Sequence, residues 1–95
     1  MEKHRHYHSP EEKQRKTGRI NRITGQLEHV KQMIEDDADC TDVLIQLSAC
    51  RAAIAGLGKQ IISEHMDHCI SHAIEDGDTE AIHEFQDAIQ KFYQK

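Results

Sequence analysis

Residues 40–74 read CTDVLIQLSACRAAIAGLGKQIISEHMDHCISHAI, and the fold turns on how long this stretch stays helical. Val43, Leu47, Cys50, Ile54, Leu57 and Ile61 recur at intervals of three and four, and Met66, Ile70 and Ile74 carry the pattern on without a proline. Apolar residues at that spacing line one side of an α-helix, which completes a turn every 3.6 residues. The stretch therefore predicts one long helix over about residues 41–75, with Asp42 well placed in its first turn. Gly77 in EDGDTE supplies the stop, because glycine readily takes the left-handed conformation that ends a helix. Asp78 or Thr79 then opens a shorter helix whose apolar face is Ile82, Phe85, Ile89 and Phe92.

Upstream, SPEEKQRK opens another helix. Ser9 caps it, Pro10 suits the first helical position and Glu12 completes a capping box. Ile20, Ile23, Leu27, Val30 and Ile34 form its amphipathic stripe. Gly18 and Gly25 cost this helix roughly 1 kcal/mol each relative to alanine, and they leave room for another backbone to approach. The acids Glu35, Asp36, Asp37 and Asp39 end it, since carboxylates oppose the dipole at a helix C-terminus. Neither strand alternation nor an internal repeat is visible. The expectation is an all-α chain: a polar, His-rich tail over residues 1–8, then a single helical domain over 9–95.

With 95 residues, two Phe, two Tyr and no Trp, a monomer has little to bury, so the helices are expected to cover their apolar sides with another copy of the chain. No apolar run approaches the ~20 residues that cross a bilayer, and the N-terminus has no signal-peptide core, so no membrane role and a cytoplasmic location are expected. In that compartment Cys40, Cys50 and Cys69 stay reduced, and thiols there point to metal or redox chemistry before disulfides. Cys50 lies on the apolar stripe and reads as a core residue.

His65 and Cys69 stand one helical turn apart and suit a metal ion, but two ligands make a poor site. If the second helix is continuous, Cys40 and His65 are 25 positions apart, roughly 37 Å at 1.5 Å per residue. They cannot share an ion within one chain. In an antiparallel pair of such helices the start of one lies beside the far end of the other, so Cys40 of one copy meets His65 and Cys69 of its partner, twice by symmetry. Two thiolates and an imidazole favour Cu(I), with Zn(II) possible given a fourth ligand. A break at Gly56 and Gly58 would instead let the chain fold back and bring Cys40 to His65 without a partner. His68 and His72, also one turn apart, are placed on a solvated face.

The net charge of -5 conceals a dipole. Lys13, Arg15, Lys16, Arg19, Arg22 and Lys31 crowd the first helix, while the acids gather after it and in the last third. A DNA backbone feels this local field rather than the average. Arg15, Arg19 and Arg22 fall at i, i+4 and i+7, a row suited to phosphates and base edges, and Lys59 can extend it. A charged helix face is often merely solvated; the contrast with the acidic remainder argues for more.

The segments RINRITGQLEHVKQMIEDDADCTDVLIQLSACRAAI and SEHMDHCI, at their interval, resemble the copper-sensing and nickel/cobalt-sensing repressors of the CsoR/RcnR type over nearly the whole chain after the tail. The resemblance implies three helices per chain, an antiparallel four-helix-bundle dimer and a disc-shaped tetramer. It implies operator double-stranded DNA bound by the metal-free form and released on effector binding. Cys40, His65 and Cys69 match the family's ligand triad, Arg19 a DNA-contacting basic residue, and Glu84 an acid thought to read the state of the ligand histidine. The triad resembles the copper branch, implying Cu(I). Nickel and cobalt sensors resemble a version with His in place of Cys69. Asp39 stands where copper members often have Tyr, which departs from the pattern. His4, His6 and His8 offer extra donors that would complete a four-coordinate Ni(II) or Zn(II) site; the plainer reading of the tail is a flexible, weakly metal-binding arm. From another class, a helical metal buffer or chaperone would bind the ion without DNA. No pocket, oxyanion donor or orienting acid argues for an enzyme.

Overall fold

The computed structural model describes residues 9–94, and for residue 69 the backbone alone. Helix α1 spans Pro10–Glu35, α2 Cys40–His65, α3 Ser71–Asp76 and α4 Thr79–Tyr93, with a π-helical turn, Met66–Ile70, joining α2 to α3. The segment Cys40–Asp76 runs as a continuous helix of 37 residues. The three expected helical rods are present, and no break occurs at Gly56 or Gly58, which removes the fold-back alternative.

The caps follow the sequence closely. Ser9 accepts a hydrogen bond from the Glu12 amide at 3.1 Å, with Pro10 at the first helical position. The end of α1 is more specific than acid repulsion. Asp37 takes the left-handed conformation at φ 58°, its amide donates to Ile34 O at 3.1 Å, and the Ala38 amide donates to Met33 O at 2.9 Å. This is the Schellman arrangement, which satisfies carbonyls that the helix end leaves open. Gly77 repeats it at the end of α3 with φ 69°, the Asp78 amide reaching Ala73 O at 2.8 Å. The Asp78 side chain then caps α4 by accepting from the Ala81 amide at 3.1 Å.

Two compact units divide the chain at Leu57 and Gly58. In the first, α1 and the start of α2 form an antiparallel hairpin. Arg19 lies 16 residues before the end of α1 and meets Gly56, 16 residues after the start of α2. Its buried side is Ile23 and Val30 on α1 with Cys50 and Leu57 on α2. The single stripe expected on each helix is therefore split. Ile20, Leu27 and Ile34, spaced by seven, are exposed on α1, as are Leu44, Leu47, Ile54 and Ile61 on α2. One face of each helix closes the hairpin while the next remains bare. Gly18 and Gly25 meet nothing within 4 Å where a β-carbon would stand, so among the described residues no other backbone uses the room they leave.

In the second unit α4 turns back at Gly77 along the helix it follows. Ile70 and Ala73 are the buried positions. Phe92 packs on Gly58, and Phe85 on His65. Both pairs are seven residues apart along their own helices, which fixes the antiparallel register.

The helix Cys40–Asp76 is long and apolar enough, by length and composition only, to cross a membrane, more than the sequence reading allowed. Only 11% of its most apolar window is buried within the chain. An apolar surface of that length requires a cover.

Candidate metal centre

Cys40 is the first residue of α2 and carries an exposed free thiol. His65 is the last residue of the same helix. Twenty-five α-helical steps separate them, and an α-helix advances 1.5 Å per step. Among the described residues no three His, Cys, Asp or Glu side chains gather to hold an ion within the chain.

His65 is half-buried, and its ring packs on Phe85 of α4 with centroids 4.1 Å apart and planes tilted by 40°. The expected single α-helical turn from His65 to Cys69 is not what forms. Residue 69 lies in the π-helical turn, which closes i→i+5 rather than i→i+4, and Ser71 Oγ donates across it to Met66 O at 3.3 Å. Four steps of the wider turn fall short of a full rotation, whereas four α-helical steps overshoot one. Such turns recur at functional sites. Glu84 is exposed on α4, beside Phe85 in sequence. His68 and His72 are exposed, and Cys50 is a buried free cysteine, both as expected. His4, His6 and His8 lie outside the described residues.

Of the basic row, Arg15 and Arg22 are exposed on α1 and Lys59 on α2. Arg19 departs from it: its guanidinium is half-buried against Gly56. Sequence reasoning missed Phe85 as the neighbour of the histidine. The available signal was the matched seven-residue spacing of Gly58 and His65 on one helix and Phe85 and Phe92 on the next.

A family model described as metal-sensitive transcriptional repressor matches residues 12–91. The chain belongs to the CsoR/RcnR family. It is 39% identical over 98 residues to the copper-sensing transcriptional repressor CsoR of Bacillus subtilis strain 168, covering 97% of each protein. It is 37% identical over 59 residues to the copper-sensing transcriptional repressor RicR of Mycobacterium tuberculosis H37Rv, covering 62% of each. Its fold superimposes on the crystal structure of the copper-sensing repressor CsoR with Cu(I) from Geobacillus thermodenitrificans NG80-2 with a TM-score of 0.88, at 35% identity over 95% of both chains. Against the nickel-responsive transcriptional regulator InrS the TM-score is 0.73, at 35% identity over 92% of this chain and 99% of that one. Within CsoR/RcnR the copper-sensing branch is the most similar. The chain is thus a metal-responsive transcriptional repressor and not an enzyme, and the metal-buffer reading loses its support.

Proposed function

We propose that this repressor occupies operator DNA in its metal-free form and leaves it when Cu(I) binds at Cys40, His65 and Cys69, drawn from two copies of the chain. The observation that carries the reading is the likeness, over 95% of the chain, to a CsoR whose structure holds Cu(I). The donor set fits the ion. Cys40 presents an exposed thiol, His65 a ring packed on one side, and two thiolates with one imidazole form a soft set that suits Cu(I). A bound Cu(I) would offset one of the two thiolate charges and tie the copies together there; the chain supplies the ligands and their spacing.

Helix length supports sharing between copies, since Cys40 and His65 open and close one unbroken α2. A second copy is also the cover that the bare stripes require. Leu47, Ile54 and Ile61 on α2, with Ile20 and Leu27 on α1, give apolar sides suited to an antiparallel four-helix-bundle dimer. Two such dimers make the homotetramer, and residues 9–95 act as one metal-sensing and DNA-binding domain. A repressor works where its operator lies, in the cytoplasm, and another protein copy rather than a bilayer occupies the apolar helix.

On DNA, Arg15 and Arg22 reach phosphates or base edges from α1, with Arg19 and Lys59 adding charge. Glu84 lies beside Phe85 and can accept from the His65 nitrogen that does not bind metal, which would link ligation to the position of α4. Coupling of this kind is reciprocal, so operator DNA weakens metal binding by the factor by which metal weakens DNA binding.

A Ni(II)- or Co(II)-responsive repressor is the second reading, favoured by the likeness to InrS and by the donors His4, His6 and His8. Anaerobic gel-shift titration with operator DNA separates the two. Release by Cu(I) supports the first; release by Ni(II) or Co(II) but not Cu(I) replaces it with the second. Zn(II), run alongside, tests a four-coordinate site.

A further inference from the structure

We propose that Phe85 is a positioning residue for the metal-binding imidazole of His65, an inference that rests on reading His65 as a ligand. The imidazole torsion about χ2 is broad, so a histidine on a helix does not by itself aim its nitrogens in one direction. Here the ring of Phe85 stands 4.1 Å from that of His65, inclined by 40°. A metal bonds to a ring nitrogen in the plane of the imidazole. A neighbour packed against the ring at a tilt therefore restricts its rotation without itself standing in the plane from which a metal approaches. Phe85 can do this because α4 is held in register one heptad further on, where Phe92 packs on Gly58. The two aromatic contacts fix the ligand ring to the helix that also carries Glu84. An aliphatic side chain at residue 85 would fill space without offering a flat surface, and the ring would regain its freedom.

The test uses the full-length protein under anaerobic conditions as wild type, Phe85→Leu, Phe85→Tyr and His65→Ala. Two quantities are read: the proton shifts of the His65 ring by NMR in the metal-free protein, and Cu(I) affinity by competition with a chromophoric chelator. Wild type and Phe85→Tyr should show His65 ring protons displaced by the neighbouring aromatic current, and Phe85→Leu should not. Cu(I) affinity should fall roughly tenfold or more in Phe85→Leu, the scale expected when the support of a ligand is removed, and return in Phe85→Tyr. Affinity of the metal-free Phe85→Leu protein for operator DNA should stay within about twofold of wild type, since metal-free binding does not use the ligand's aim.

Cu(I) affinity unchanged in Phe85→Leu, or not restored in Phe85→Tyr, overturns the proposal. So does a parallel loss of metal-free DNA binding, which would make Phe85 a packing residue only. If His65→Ala binds Cu(I) as wild type does, the ligand assignment itself fails. If His65→Ala loses Cu(I) and Phe85→Leu does not, the ligand assignment stands and only the role of Phe85 falls.

Discussion

The guanidinium of Arg19 on α1 lies over the bare α-carbon of Gly56 on α2, where an added β-carbon would stand 3.2 Å from Nη1. Three arginines one face apart in sequence are thereby made unequal. Arg15 and Arg22 are exposed, and Arg19 is half-buried with its guanidinium against Gly56.

That inequality predicts different consequences for their loss. Arg15→Ala and Arg22→Ala should weaken operator binding and each lower the salt slope of log affinity by about 1, as expected for a lost phosphate contact. Neither should change the thermal midpoint appreciably. Arg19→Ala should do both, lowering DNA affinity and loosening the hairpin by roughly 1 kcal/mol through lost packing. Binding isotherms across a salt series, with melting of each free protein, decide the matter. A thermal effect equal in all three variants would contradict the burial of Arg19.

Gly56 and Gly58 should respond oppositely to alanine. Both gain about 1 kcal/mol of helix propensity. At Gly56 the new methyl meets the far end of a flexible side chain, which can move aside, so Gly56→Ala should be neutral to stabilising. At Gly58 it meets the ring of Phe92. Overpacking costs about 1–3 kcal/mol and outweighs the propensity gain, so Gly58→Ala should be destabilised. Adding Phe92→Leu should recover part of the loss. Denaturant curves at one fixed protein concentration give the signs, the concentration being held because assembly contributes to stability.

How far the sequence carried the fold is clear from its helix ends. Ser9, Pro10, Gly77 and Asp78 each have one dominant local role, and each performs it. Asp37 was harder, because left-handed backbone is ordinarily the province of glycine and its acidic neighbours suggested repulsion alone. The apolar stripes were legible as stripes but not as two adjoining faces. A three- and four-residue period marks a side of a helix without saying what covers it, and only the burial of Ile23 and Val30 against the exposure of Ile20 and Leu27 separates them. At the candidate site, the residue types at 40, 65 and 69 and the length of α2 were written in the sequence. The π-helical turn at residues 66–70 was not, since one additional residue per turn leaves no mark on composition. Nor was the Phe85 contact, which depends on how α4 turns back.

The bare stripes predict a charge-sensitive assembly. Leu47 and Ile54 are exposed on α2 and lie on the side assigned to the second copy. Leu47→Glu or Ile54→Glu would bury an unpaired carboxylate in that interface, a cost of several kcal/mol per ion. Sedimentation velocity should show dissociation, with loss of both operator and metal binding. Gln90→Glu, exposed on α4 and off those stripes, serves as the control and should remain assembled. Retention of the wild-type mass by Leu47→Glu and Ile54→Glu would place the partner elsewhere.

Sharing of one ion by two copies predicts complementation between dead subunits. Cys40→Ser removes one ligand from a chain but leaves its His65 and Cys69, and His65→Ala leaves its Cys40. Each variant alone should lose high-affinity Cu(I). In a mixed dimer, one of the two symmetric sites combines Cys40 from the second variant with His65 and Cys69 from the first and is complete. Random pairing after equal mixing makes half the dimers mixed, so capacity should recover to about a quarter of wild type. Unfolding and refolding the mixture together provides the exchange, and chelator competition counts the sites. A site contained in one chain predicts no recovery at any mixing ratio, because neither variant then carries a full set of ligands.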